Sequence, residues 1–307
     1  MADSRAIGRW ALTGLMINSM IGSGIFGVPG ELARLLGKAS PLACILAGLA
    51  IAVIIACFVE VGSQFAESGG PYLYVRTAFG PLMGIQIAWF TALTPMAAAA
   101  AQSTLFVSYL ESFHPSLGAG PARLAVIAAV IGIPMIANLI GLRAGKSLSS
   151  LLVIAKLAPL LLLIGAGLFY TPAPAPAEPA APALAPAASS AGIWLSAMLL
   201  AVFGFGGFEN ALAATGAVDA PRRSVPFALT TSLAVCIVIN TLIQWVTAVA
   251  LERTGATDRP LAAAAAVTIG PWGATLMAVA ALISTSGAIS ATVLAVPRLL
   301  AALGKRG

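Results

Sequence analysis

The chain has 307 residues, is 60% hydrophobic and only 8% charged, and has a mean hydropathy of +1.00. An ordinary soluble domain is excluded, because runs of about 20 apolar residues read as membrane helices, and the short alternating strands of a membrane barrel are missing. The net charge of +6 is scattered over loops without a basic stripe or interleaved aromatics, so no nucleic-acid partner is expected, and the fold class is all-α, polytopic and lipid-embedded.

Eight apolar stretches follow in order, at about 9–36, 41–63, 82–110, 122–141, 148–170, 192–216, 225–251 and 272–301. The first opens near Trp10 and is interrupted at its centre by Ile21-Gly22-Ser23-Gly24-Ile25-Phe26. Glycine costs about 1 kcal/mol against alanine inside a helix. Lipid offers no replacement hydrogen bonds, so freed backbone groups persist only where they face protein or a water-filled cavity. A helix broken at bilayer depth points to a small-solute site, although small residues also serve close helix packing. Arg5 and Arg9 resemble a charged leader, but the glycines interrupt the run and no small-x-small cleavage site follows. The span is expected to remain in the mature chain.

Lysines and arginines set the orientation. With the N-terminus cytoplasmic, the inner side receives ten: Arg5, Arg9, Arg76, Arg143, Lys146, Arg222, Arg223, Arg298, Lys305 and Arg306. The outer side receives five, Arg34, Lys38, Arg123, Arg253 and Arg259, and Lys156 lies inside a span. Both termini are therefore expected inside, in the cytoplasmic membrane. Cys44, Cys57 and Cys236 all fall within spans without ligand spacing, which suggests buried free thiols. With one histidine, His114, no clustered acids and no nucleotide-binding loop, no metal site, cofactor or ATPase motor is expected. No nucleophile–base pair suggests an enzyme.

After the fifth span, residues 171–188 read TPAPAPAEPAAPALAPAA, whose six prolines exclude a helix and favour extended polyproline geometry. This connector, taken as 171–191 and placed outside, divides a five-span block (1–170) from a shorter second block (192–307). The second block opens on another interrupted span, with Phe203-Gly204-Phe205-Gly206-Gly207-Phe208-Glu209 near its centre. Five spans is an odd number, so the blocks enter the membrane in opposite senses. Corresponding broken helices in inverted halves are the best sequence pointer to a transporter site.

The chemistry follows from the breaks. Helix ends at the first present unpaired N–H groups and a positive dipole, suited to a carboxylate. Ser23 adds a hydroxyl and the glycines let a ligand approach the backbone. At the second, unpaired carbonyls suit an ammonium group, and the two ends together describe an α-amino acid. Glu209 is an ionisable group at membrane depth, open to a gating or proton-handling role or to a structural hydrogen bond. Phe203, Phe205 and Phe208 around it either pack or close over a substrate. Lys156, several residues inside the fifth span, either snorkels to the interface or is desolvated and exchanges a proton. Ser284, Thr285, Ser286 and Ser290 place hydroxyls along the eighth span, where they bond their own helix or line a path. Thr91, Thr94 and Pro95 roughen the third.

IGSGIFGVPG in the first span, ESGGPYLYVRTAFGP after the second, KLAPLLLL in the fifth, FGFGGFENA in the sixth and VPRLLAALGKRG at the end together resemble the amino acid–polyamine–organocation superfamily of transporters, and above all its bacterial amino-acid permeases. The similarity runs from about residue 7 to residue 305. It implies an inverted-repeat core of two five-helix halves, with the first and sixth helices unwound around the substrate's carboxylate and amino groups. Ile21, Gly22, Ser23, Gly24 and Ile25 fall on the unwound first-helix segment, and Ser19 and Met20 just before it. Phe203 matches the aromatic that closes over substrate in some members. Gly204, Phe205, Gly206, Gly207 and Phe208 match the sixth-helix break, and Glu209 its acid. Lys156 matches a fifth-helix lysine that in proton-coupled members stands where distant relatives hold sodium. Asp219-Ala220-Pro221-Arg222-Arg223 resembles the loop after the sixth helix, but its alanine-valine lead-in lacks an acid often found there.

The resemblance implies a secondary active transporter working by alternating access on an amino acid, with protons as the coupling ion. The alternatives are a polyamine or other organocation substrate, or amino-acid exchange. Members of the family usually continue well beyond an eighth span, so the second repeat is expected to lack its last core helices. That leaves three expectations: a remainder carried by a second chain or a homo-oligomer, a truncated form that binds a partner without transporting, or an incomplete gene.

Overall fold

A computed structural model of the chain describes residues 7–64, 70–140, 146–170, 190–209, 218–255 and 257–304. Helices dominate it: α1 (Arg9–Met20), α2 (Val28–Leu36), α3 (Ser40–Gln64), α4 (Gly70–Phe79), α5 (Pro81–Leu110), α6 (Gly120–Leu139), α7 (Lys146–Leu168), α8 (Ala191–Phe203), α9 (Pro221–Thr254), α10 (Pro260–Thr268) and α11 (Pro271–Gly304). Single 3-10 turns occupy Ser23–Phe26, Gly37–Ala39 and Pro115–Leu117. The proline-alanine connector at 171–188 lies outside the described residues, as do Glu67, Ser68 and Gly69 of the second motif and Asn210 and Ala211 of the fourth.

Among the described residues, five stretches are long and apolar enough to cross a membrane: Val28–Gly62, Pro81–Leu110, Gly120–Leu139, Pro221–Thr254 and Pro271–Pro297. Ala155–Leu168 and Ala191–Phe203 are shorter apolar helices. The first and sixth spans are the ones that the two breaks shorten. At 1.5 Å per residue, α1 and α8 reach only roughly 18–20 Å, short of a hydrocarbon core of about 30 Å. Two helices were not anticipated, α4 and α10, both short and both opening at Gly70-Pro71 or Pro260, where proline is preset for a first helical turn. Large apolar side chains stay exposed along the long helices, among them Leu82, Trp89, Phe90, Leu139 and Ile140. A helix apolar on all sides belongs in lipid, and this is a multi-pass membrane protein. Cys44 and Cys236 are buried free thiols, but Cys57, expected buried, is exposed on α3.

The chain forms two compact units. The first takes its described residues from Met1–Gly22, Pro41–Thr91 and Ser189–Leu242. In it Gly48 of α3 allows Ile237 of α9 to approach so closely that a Cβ would lie 2.5 Å from its side chain. Phe58 of α3 meets Phe208 edge to face at 5.3 Å, and Trp10 of α1 meets Phe227 of α9 at 4.9 Å, with the Arg9 guanidinium 5.3 Å over the Phe227 ring. Ile7 pairs with Val218 in a parallel bridge, and the Asp219 N–H donates to Ile7 O at 3.0 Å, which ties the chain before α1 to the chain before α9.

The second unit takes its described residues from Ser23–Ser40, Ala92–Ala188 and Ile243–Gly307. Its α11 packs on α6, α7 and α10, and α10 packs on α2. Ala99, Val130 and Ile289 form a buried cluster there. A Cβ at Gly30 of α2 would lie 3.1 Å from the Pro260 ring, so glycine sets how closely α10 sits. Arg253 Nη1 donates to Tyr170 Oη at 2.7 Å.

Candidate functional site

The first break is real and local. Helix α1 stops at Met20, Ile21 takes a non-helical ψ of 72°, and the Gly22 N–H donates to Met20 O at 2.8 Å. The chain then makes the 3-10 turn Ser23–Phe26 before α2 begins at Val28. Ile21, Ser23, Ile25 and Phe26 are buried, with Gly22 and Gly24 between them half-buried. Ser23 is fully buried and its Oγ has no hydrogen-bond partner. A buried hydroxyl left unsatisfied costs about 1–3 kcal/mol, so it is an acceptor or donor held ready inside the fold.

The second break begins where α8 ends at Phe203. Gly204 keeps a helical φ of −70°, turns follow through Gly207, and Gly207 adopts a φ of +103°, a conformation open to glycine and strained for other residues. Within the first unit Ser19 Oγ donates to Gly207 O at 2.7 Å. The C-terminal end of α1 and the second break are thus in direct contact, and a Cβ on Gly207 would lie 2.6 Å from Ser19 O.

The Gly207 N–H donates to Glu209 Oε2 at 2.9 Å, which holds the acid against the break's own backbone. The three phenylalanines separate: Phe205 and Phe208 are buried, while Phe203 is 47% exposed. Met20 is buried in α1, and Gly206 is exposed. Lys156 sits in α7 of the second unit at 8% exposure, an enclosed rather than a snorkelled position. Three of the α11 hydroxyls bond their own helix: Thr285 Oγ1 donates to Ala281 O at 2.7 Å, Ser286 Oγ to Ile283 O at 3.0 Å and Ser290 Oγ to Ser286 O at 2.8 Å. Thr91 Oγ1 does the same toward Ile87 O at 2.8 Å.

Three residues that the sequence reading passed over hold the breaks in place. Asn240 of α9 donates to Gly204 O at 3.4 Å and to Cys236 O at 3.0 Å. Gln244, one turn on and 1% exposed, donates to Pro29 O at 3.1 Å and Ser40 Oγ at 2.9 Å. In the second unit, fully buried Tyr109 of α5 donates to Phe26 O at 2.8 Å. The usable signal was polarity inside apolar runs, since amides in a span commonly bond across helices.

Comparison with known proteins places the chain in a family. The chain is 31% identical over 317 residues to an uncharacterized transporter of Mycobacterium tuberculosis, covering 95% of this chain and 65% of that protein. It is 29% identical over 253 residues to the methylthioribose transporter of Bacillus subtilis, covering 77% of this chain and 53% of that protein. It is also 29% identical over 251 residues to a branched-chain amino acid permease of the same organism, covering 76% and 52%. The chain therefore spans less than two thirds of the length of these relatives. The model of the family described as amino acid permease matches residues 7–307, which takes in both breaks and every helix around them, and the chain belongs to that family.

Proposed function

We propose that this chain serves secondary active transport of an α-amino acid across the cytoplasmic membrane by alternating access, with both termini cytoplasmic. The substrate carboxylate lies at the first break, along Ser19 to Ile25, and the ammonium at the second, along Phe203 to Phe208. One observation carries the reading: the Ser19–Gly207 hydrogen bond, which joins the end of one interrupted helix to the break of the other. Helix termini supply the complementary charges, donors at an N-terminal end and carbonyls at a C-terminal end. The fully buried, unpartnered Ser23 hydroxyl fits a polar ligand on the adjoining turn. The two blocks 1–170 and 192–307, read as inverted repeats, supply the two broken helices that such a mechanism uses.

Coupling to protons rests on buried Lys156 and on Glu209. Uptake of a labelled amino-acid panel into proteoliposomes, with and without an imposed pH gradient, tests both parts. Uptake of at least one amino acid, faster with the interior alkaline, is expected. Lys156→Ala is expected to abolish the gradient-driven component and spare some exchange, and unchanged coupling in that variant removes the proton role. A properly inserted protein that moves no amino acid ends the substrate reading. The methylthioribose-transporting relative favours one second reading, another small polar solute, and including such solutes and polyamines in the panel decides between them.

A further inference from the structure

The second unit contains a cavity of about 360 Å³, within the range of about 300–1,000 Å³ typical of small-molecule pockets. It lies where α5 ends, α10 begins and α11 begins. Neither helix break contributes to it. Arg259, at the start of α10, is its one charged lining residue, and Ser112, Thr257 and Thr275 supply its hydroxyls. The rest is Phe113 and a set of alanines such as Ala262 and Ala274. Among the described lining residues none is acidic, so no carboxylate on the cavity wall competes for the Arg259 side chain.

The hydroxyls have a defined polarity. Ser112 Oγ donates to Tyr109 O, and Thr275 Oγ1 donates to Pro271 O at 3.3 Å. Their protons are committed to backbone, and what they offer a ligand is lone pairs. Thr257 Oγ1 accepts from the Arg259 N–H at 3.2 Å, which fixes the backbone that carries the guanidinium. The cavity thus pairs a cationic donor with acceptor oxygens across a small apolar floor. Alanine side chains leave room for a short aliphatic group.

We propose that this cavity binds a small α-amino acid as its zwitterion, at a site separate from the helix breaks: carboxylate on Arg259, ammonium on the Ser112 and Thr275 oxygens, side chain against the alanines. The inference stands independently of transport, since none of its residues belongs to the breaks.

The test uses the purified full chain in detergent with Cys57→Ala, which leaves only the buried Cys44 and Cys236, and with a reporter thiol introduced on the cavity wall outside the polar contacts, as Ala266→Cys or, separately, Ala274→Cys. The rate of maleimide labelling is measured with L-alanine, propionate or propylamine. At about ten times its Kd a ligand leaves roughly one site in eleven free, so L-alanine is expected to slow labelling about tenfold. Propionate is expected to protect less at equal concentration and propylamine not at all. Arg259→Gln is expected to abolish protection, with each variant compared with its own ligand-free rate; that control also separates this site from any slowing transmitted from the breaks. The proposal is overturned if neither reporter reacts, if L-alanine protects neither, if protection survives Arg259→Gln, or if propionate protects as well as L-alanine, which would describe a plain anion site.

Discussion

Gly207 and Gly22 are both glycines at a break, yet the structure gives them different constraints. Gly207 has a positive φ and no room for a Cβ, with Ser19 O 2.6 Å away. Gly22 has its nearest neighbour, again Ser19 O, at 3.9 Å, which is ordinary contact. Gly207→Ala should therefore destabilise the fold by about 1–3 kcal/mol through strain alone, read as a lower thermal midpoint in detergent. Gly22→Ala should leave that midpoint nearly unchanged while weakening uptake, because only a bound substrate would fill the space. A matching fall in stability for both variants would argue that Gly22 serves packing. Polar side chains sort the same way. Thr285, Ser286 and Ser290 of α11 bond their own helix, whereas Ser23 has no partner.

At the scale of elements, helix ends freed by the breaks are held by side chains from unbroken helices. Tyr109 of α5 anchors the 3-10 turn through Phe26 O, with the rings of Phe26 and Tyr109 edge to face at 6.3 Å. Its hydroxyl also faces the backbone N–H groups of Leu261 and Ala262 at the start of α10. Tyr109→Phe keeps the ring and removes the donor, leaving a buried carbonyl unpaired at a cost of about 1–3 kcal/mol. The expected readout is faster hydrogen exchange in the turn and at the start of α10, with α6 unaffected. Gln244 of α9 plays the corresponding part for α2, and Gln244→Leu should raise exchange around Pro29–Leu32. Helix packing has its own signature. Gly48→Val in α3 would drive a branched side chain into Ile237 of α9, an overpacking that costs about 1–3 kcal/mol and lowers the thermal midpoint without touching either break.

Over the whole molecule, the surface charge pairs add little to the apolar packing of the helices. Two ion pairs, Arg34–Glu31 and Lys38–Glu252, lie at the surface, and such pairs contribute about 0–1 kcal/mol and are screened by salt. Raising ionic strength should accordingly leave the unfolding midpoint in detergent almost unchanged. A strong salt dependence would show that these surface pairs contribute more than that.

The sequence by itself determined the membrane class, the approximate spans and the position of both breaks, because those depend on composition and on local helix propensity. Runs of apolar residues have one stable home, and glycine pairs weaken a helix wherever they stand. It also carried the family, through motifs spread along the chain. What it could not fix was which groups meet. That Ser19 bonds Gly207 O, that Asn240 and Tyr109 hold carbonyls at the breaks and Gln244 holds Pro29 O of α2, and that Phe205 and Phe208 turn inward while Phe203 stays exposed are matters of tertiary structure. Nor did α4 and α10 stand out, being too short for periodicity to mark them. The partners lie far apart in the chain, 188 residues for Ser19 and Gly207, and no local pattern records a contact that only the packing of distant helices creates.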